Sequence, residues 1–277
     1  MVKQTASLSN EQTDTLINKL TGAKKYRSVS IPRETLEKLV EEAARNERDL
    51  ATLEKTVRLK LHNLAALYLG DPDYASLARR LDGKIYQSED VELREICLEA
   101  LNAHVSTAER IPFLKEFYQR IFTFTGMPSR ILDLACGLNP FAIPWMQLPV
   151  QTEYLAFDLN LPRVQALNNL FTSIRQPGAA IHQDILVEPP QEPADIAFFF
   201  KEAHRFEQRK KGCNRTFFTA LPVKFLLVSL PTSNLTGSRG MLDQDRLLIA
   251  QATADTGWQV DELLFENEIV FGIRKTT

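Results

Sequence analysis

Residues 130–145 read RILDLACGLNPFAIPW. The apolar run RILDLA (130–135), rich in branched residues, predicts a buried strand that turns sharply at Cys136 and Gly137. A turn of this kind, at the carboxyl end of a strand, is where an open α/β sheet holds its ligand. A dinucleotide would need G-x-G-x-x-G, so that backbone amides and a helix N-terminus can cradle its pyrophosphate. Here Gly137 stands alone and is followed by Leu138-Asn139-Pro140. One glycine is enough where the ligand is nucleoside-like and carries no phosphate, because the missing Cβ lets the backbone come close.

Outward from this stretch the chain has two rhythms. After Arg110, short apolar runs alternate with helical spans. The runs are RILDLA (130–135), EYLAFD (153–158), AAIHQD (179–184), DIAFFF (195–200), VKFLLVSL (223–230), WQVDELLF (258–265) and EIVFGIR (268–274). Such alternation predicts a mostly parallel sheet covered by helices on both faces. Only Glu266 and Asn267 separate the last two runs, so these must pair as an antiparallel hairpin. An α/β, Rossmann-like sheet of seven strands with the last one antiparallel looks like that of the class I S-adenosyl-L-methionine methyltransferases. Residues 8–105 behave differently. TLINKL, ETLEKLVEEAARN and LATLEKTVRLKLHNLAALYL place apolar residues three or four apart with charges between them, Pro32 marks a helix start, and Gly70-Asp71-Pro72 breaks a long helix. The expected division is an all-helical domain over residues 1–105 and a methyltransferase domain over 106–277.

Three consecutive predicted strands end in an acid: Asp133, Asp158 and Asp184. Any one of them alone reads as a turn residue or helix cap. In register at successive strand ends they point to a nucleoside-type ligand. Asp158 is placed to accept hydrogen bonds from the ribose hydroxyls, and Asp184 to read an adenine amino group while Ile185 packs on the ring. Arg110, just before the first strand, is a candidate clamp for the carboxylate of the cofactor's amino-acid end, or else a cap on a helix C-terminus. The candidate cofactor set is Arg110, Asp133, Ala135, Gly137, Asp158, Asn160, Asp184 and Ile185.

Composition narrows the alternatives. Cys97, Cys136 and Cys213 are far apart, with no C-x-x-C, and the four histidines are scattered, so a disulfide framework, a zinc site or a metal enzyme is not expected. No apolar run is long enough to span a bilayer and the N-terminus is polar, which fits a reducing cytoplasm. The net charge is −2, and the chain through Val105 carries 16 Lys plus Arg against 17 Asp plus Glu. Two local runs are basic: Lys19, Lys24, Lys25, Arg27 and Arg33, and then Arg205, Arg209, Lys210, Lys211 and Arg215. Such runs meet phosphates or form solvated helix faces.

The methyl acceptor is approached by elimination. N-P-P-Y/F, common in transferases acting on exocyclic amines, is absent from the end of the fourth strand, and no cysteine stands at a strand end as a pyrimidine-C5 nucleophile would. What remains is an acceptor with its own lone pair, such as guanine N7, for which alignment matters more than a base.

DLACGLNP, KKYRSV, STAERIPFLKEFY, the K-x5-E of Lys201 and Glu207, and SLPTSNLTGSRGM together resemble the aminoglycoside-resistance 16S ribosomal RNA methyltransferases, in particular the branch that methylates guanine 1405 at N7. The resemblance runs from about Leu16 to the C-terminus. It implies S-adenosyl-L-methionine as cofactor, 16S rRNA in the assembled 30S subunit as partner, and an N-terminal domain that docks on folded RNA. It also implies that Lys201 and Glu207 order the active-site edge and that the loop from Ser233 to Met241 lies beside the target base, with Arg239 contacting RNA there. Lys24, Lys25 and Arg27 would contact phosphates, which sets position rather than reading sequence. The target base would have to leave its helix. Neither DNA nor a membrane is an expected partner, and a monomer is expected. Two other readings stand beside this one: a methyltransferase of the same fold acting on another RNA site or a small molecule, and a ribosome-binding protein without turnover.

Overall fold

The structure, a computed structural model, describes residues 8–22, 30–47, 49–65, 71–232 and 241–276. Helices lead. α1 (Asn10–Thr21) starts at a reciprocal cap, in which Ser9 Oγ accepts from the Gln12 amide and Gln12 Oε1 accepts from the Ser9 amide. α2 (Arg33–Ala44) starts directly after Pro32, and α3 is Leu50–Ala65. Their apolar faces close on one another through Ile17, Leu20, Leu36, Val40, Leu53, Val57 and Leu61. Ion pairs Lys19–Glu54, Arg33–Asp14 and Lys60–Glu42 decorate this small bundle, but exposed pairs contribute little beside the apolar core.

The later helices of the N-terminal half pack elsewhere. α4 (Tyr74–Leu81), capped by the Asp73 side chain, and α5 (Val91–Asn102) give Tyr74, Leu77, Leu81, Leu93, Ile96 and Leu101 to the core that covers one face of the sheet. The chain continues through the one-turn α6 (Val105–Ala108) and α7 (Leu114–Thr125) into the sheet. The apolar packing therefore divides the chain after α3, whereas the sequence rhythm changes after Arg110.

The seven strands are β1 (Arg130–Leu134), β2 (Glu153–Asp158), β3 (Gly178–His182), β4 (Ala194–Phe200), β5 (Val223–Pro231), β6 (Gln259–Leu264) and β7 (Glu268–Arg274). Their spatial order is β3-β2-β1-β4-β5-β7-β6, parallel except for β7, which is antiparallel to both its neighbours. The seven-stranded α/β sheet with its antiparallel last strand is thus the one the sequence predicts. The crossovers carry α8 (Ile143–Met146), α9 (Leu161–Ser173), α10 (Ala203–Arg209), α11 (Cys213–Ala220) and α12 (Met241–Thr253). Successive residues of a strand serve opposite faces. Ile131, Ile196 and Phe198 pack under α4, α5, α7 and α9, while Leu132, Ala197 and Phe199 pack under α10, α11 and α12. Both faces being covered explains why the central strands read as unbroken apolar runs. Among the described residues no helix is long and apolar enough to cross a membrane.

At the sheet's edge Gly178 opens β3 with φ +119°, and a Cβ there would lie 2.1 Å from the Tyr154 carbonyl oxygen. Gly178→Ala therefore has to move a backbone already paired in the ladder. We expect a loss of about 2–3 kcal/mol in unfolding free energy, measured by denaturant titration, with β3 losing amide-exchange protection first.

Candidate cofactor and RNA site

The carboxyl ends of β1, β2 and β4 and the segment after β3 open onto a cavity of about 540 Å³, roofed by α2 and α3 of the small bundle. Its size is that of a site for a nucleoside-sized ligand. Arg110, Ala135, Gly137, Asp158, Asp184, Ile185 and Lys201, all predicted from sequence, line it together. Three of these lie where the backbone is left-handed: Ala135 at φ +50°, Gly137 at φ +54° and Lys201 at φ +60°. At Gly137 a Cβ would meet no atom closer than 3.9 Å, so backbone conformation and the access it gives to the cavity account for the glycine.

Asp158 closes β2 and is almost wholly buried. Its Oδ2 accepts from the Gly137 amide at 3.0 Å and from Arg163 Nη1 at 2.8 Å, and its Oδ1 accepts from the Asn160 amide at 2.8 Å. A carboxylate offers about four acceptor positions, so Asp158 keeps one for a ligand hydroxyl. Asn160 does not line the cavity. It caps α9 through the Arg163 amide and reaches Asp71 Oδ2 at 2.9 Å. Arg163 in turn is fixed by Asp71 Oδ1 at 2.8 Å and by the Tyr74 hydroxyl at 2.7 Å, and His104 approaches the same Asp71 oxygen. Desolvation raises the Tyr74 phenol above its ordinary range, and the Asp71 carboxyl is held below its own chiefly by the bond to His104 and the charge of Arg163, against burial.

Asp184 lies two residues beyond β3, because the strand ends at His182, and the predicted run to Asp184 becomes a turn instead. Its carboxylate is buried and held by Arg209 from α10 through both oxygens, by the Leu186 amide, and by the Thr35 hydroxyl from α2. Ile185 is buried beside it.

Arg110 is buried with its guanidinium between the rings of Phe117 and Phe200, 4.1 and 4.7 Å from their centres. Its Nε and Nη2 donate to Glu268 and its Nη1 donates to Asn139 Oδ1 at 2.9 Å. Three of its five N–H groups are engaged by these two acceptor side chains. Asp133 sits in the fourth position of β1 and does not reach the cavity. It lies beneath the floor, where its Oδ2 accepts from Asn139 Nδ2 at 2.9 Å and the Tyr154 hydroxyl at 2.6 Å. Burial pushes its carboxyl up to about 7, against the pull of those donors.

Lys201 follows β4 directly; its Nζ donates to Glu109 Oε2 at 2.8 Å and stands 3.8 Å from Glu268. Glu207, paired with it in the sequence motif, faces away and accepts from the amides of Gly212 at 2.6 Å and Asn214 at 3.3 Å, fastening the start of α11. Lys24, Lys25, Arg27 and Arg239, with the loop 233–240, lie outside the described residues. Of the other basic residues in the two runs, Lys19 and Arg33 are engaged within the bundle, Arg205 and Arg209 pair with Glu202 and Asp184 of the cavity wall, and Arg215 stands 3.5 Å from Asp255. The second run is therefore partly structural rather than a solvated face. Among the described residues no group of His, Cys, Asp and Glu could hold a metal ion, and all three cysteines are buried and free.

Sequence reasoning missed Arg163, Asp71, Thr35, Arg209, Glu268 and Glu202, whose mostly buried carboxyl is raised to about 7 by desolvation. One signal was present. Arg163 falls in the first turn of α9, where a cation opposes the helix dipole and so calls for a carboxylate nearby.

The model of the ribosomal RNA methyltransferase (FmrO) family matches residues 22–272. A 16S rRNA (guanine(1405)-N(7))-methyltransferase of Micromonospora echinospora is 29% identical over 275 residues, 98% of this chain and 100% of that protein. One of the same name from Micromonospora olivasterospora is 32% identical over 253 residues, covering 90% and 84%. Among solved structures, the 16S rRNA methyltransferase RmtF in complex with S-adenosyl-L-homocysteine superposes with a TM-score of 0.76 at 28% identity, over 97% of this chain and 100% of that one. The 16S rRNA methylase RmtB, at 21% identity and a TM-score of 0.77, shares the fold over 95% of this chain and 98% of its own.

The pH dependence of stability tests the buried Asp133. Its folded-state value lies above the ordinary 3.8, so the unfolded chain gives up this proton first, and stability from this group is lost as pH rises from about 4 to about 7. Asp133→Asn removes that dependence. The difference in melting temperature between variant and wild type should grow in the variant's favour from pH 5 to about 7 and then level off; a constant difference would contradict the assignment.

Proposed function

The chain belongs to the ribosomal RNA methyltransferase (FmrO) family, and from that membership we propose that it transfers the methyl group of S-adenosyl-L-methionine to N7 of guanine 1405 in the decoding region of 16S rRNA. The observation that carries this reading is a single cavity holding Gly137, Asp158, Asp184 and Ile185 at the ends of adjacent strands, in a chain that matches named guanine-N7 methyltransferases over nearly its whole length. The residues fit the cofactor: a glycine turn with no Cβ, an acid with one acceptor left for a ribose hydroxyl, and an aliphatic side chain for the adenine face. The cofactor supplies an electrophilic methyl group on a sulfonium.

The chain's own part is alignment. N7 of guanine is unprotonated near neutrality and carries its lone pair, so no strong base is needed. Asp158 fixes the ribose through an oxygen already held by the Asn160 amide. Arg110 and Lys201, locked by Glu268 and Glu109, make a rigid, charge-paired edge at the end of β4. The roof formed by α2 and α3 keeps water out while the base is aligned. Residues 1–105 serve docking and residues 106–277 serve transfer, with the docking surface concentrated on the separately packed α1–α3. The substrate is RNA within the assembled 30S subunit, the setting is cytoplasmic, the protein acts as a monomer, and the modification confers aminoglycoside resistance. Lys201 and Glu207 act on the active-site edge, the first directly and the second by holding the corner between α10 and α11. Arg239 contacts the target RNA.

Labelled S-adenosyl-L-methionine with purified 30S subunits should yield N7-methylguanine at the one position, mapped by primer extension, and Asp158→Ala should weaken cofactor binding more than about 100-fold by removing the ribose acceptor together with one of the two carboxylates that hold Arg163. Incorporation at another base, or wild-type affinity in the variant, sinks the assignment. Separately, replacing Lys24, Lys25 and Arg27 by Glu should weaken 30S binding about tenfold or more at moderate salt and leave cofactor affinity unchanged, as filter binding and calorimetry would show.

A further inference from the structure

The two aspartates that line the cavity differ in how many acceptor positions are taken. Asp158 receives three donors, Asp184 four. On Asp184 Oδ1 these are Arg209 Nη1 at 3.1 Å and the Leu186 amide at 3.1 Å; on Oδ2 they are Arg209 Nη2 at 2.5 Å and Thr35 Oγ1 at 3.0 Å. Four donors fill a carboxylate. An adenine amino group can be read by Asp184 only if one of them leaves. The donors are unequal. Arg209 holds through two charge-assisted bonds, which are the strong ones, and the Leu186 amide belongs to the turn that Asp184 itself nucleates, where Val187 and Glu188 amides bond the Asp184 carbonyl. Thr35 makes a single neutral bond, comes from the small bundle rather than from the sheet, and lines the same cavity. Thr35 is the third residue of α2, and its hydroxyl takes no part in the backbone bonds of that helix, so releasing Asp184 breaks nothing within α2.

We propose that the Thr35 hydroxyl occupies the acceptor position on Asp184 that the adenine amino group takes over when the cofactor binds. The inference rests on the proposed cofactor site and gives it a consequence: loading of the adenine and seating of α2 compete for one oxygen. Thr35 is then a determinant of cofactor affinity from the helix bundle, with no part in the chemistry of transfer. Lys38 and Glu42, on the same helix, line the cavity beside Thr35, so a change in the seating of α2 reaches the opening directly.

The test is a binding comparison on the full chain with two ligands, S-adenosyl-L-homocysteine and its analogue lacking the exocyclic amino group (a purine riboside in place of adenosine), titrated calorimetrically. Thr35→Val keeps shape and removes the donor. It should bind the adenosyl ligand about two- to tenfold tighter than wild type, one hydrogen bond's worth, and the deamino ligand no tighter. Thr35→Ser, which restores the hydroxyl, should return to wild-type affinity, and Thr35→Ala substitutes if the valine variant does not fold. If wild type prefers the adenosyl ligand but Thr35→Val leaves that preference unchanged or reduces it, the displacement is wrong while Asp184 as the adenine reader stands. If neither wild type nor Thr35→Val prefers the adenosyl ligand, or neither ligand binds, the reading of Asp184 itself is overturned and the proposal falls with it.

Discussion

A guanidinium buried between two phenyl rings is tolerable only when its protons are taken, because the desolvation of Arg110 and Glu268 is repaid only by good geometry and further hydrogen bonds. Here Glu268 receives Nε and Nη2, and Asn139 receives Nη1. The pair joins the residue that precedes the sheet's entrance to the first residue of β7, the strand inserted antiparallel between β5 and β6. Asn139 carries the network onward to Asp133 and to the hydroxyls of Tyr118 and Tyr154. The turn over 135–140 is thereby held from beneath by side chains of β1, β2, α7 and β7. A cavity floor built this way has little freedom, and the left-handed backbone at Ala135 and Gly137 persists because the surroundings over-determine it.

Much of this was legible in the sequence, for identifiable reasons. Strands covered on both faces appear as apolar runs, and two residues between the last pair leave no topology but a hairpin. The position of Asp158 followed from the same reading, as did the glycine turn. What periodicity does not carry is the partner of an apolar face. Leu77 and Leu81 have the same spacing as Leu36 and Val40, yet the first pair packs on the sheet's helices and the second closes the small bundle. Asp133 looked like a third cavity acid because its strand ends nearby, but β1 alternates and the residue turns beneath the floor toward Tyr154. Pairings across long stretches of sequence, such as Asp71 with Arg163 and Thr35 with Asp184, leave no local trace beyond a cation placed against a helix dipole. Glu207 shows the opposite case, a charge that the family resemblance set at the active-site edge and whose carboxylate is spent on two amides at the start of the next helix.

The acids around the cavity share a pattern that bears on mechanism. Asp158 has Arg163, Asp184 has Arg209, Glu202 has Arg205 and Glu268 has Arg110, each within hydrogen-bonding reach. Each of these pairs presents oriented donors and acceptors with little field of its own, so at these positions ligands are distinguished by hydrogen-bond geometry and shape more than by charge. In the proposed reaction a positive charge moves from a sulfonium to a ring nitrogen within one cavity, and the total charge there is the same before and after. A wall that strongly attracted cations at the sulfur would hold the charge where it starts; one strongly attracting them at the purine would bind the product. Balanced pairs do neither. What such a site can still contribute is the fixed approach of nitrogen to methyl carbon, the term in which positioning counts for most, and for that the rigidity imparted by the Arg110–Glu268 pair matters more than any single residue's acidity.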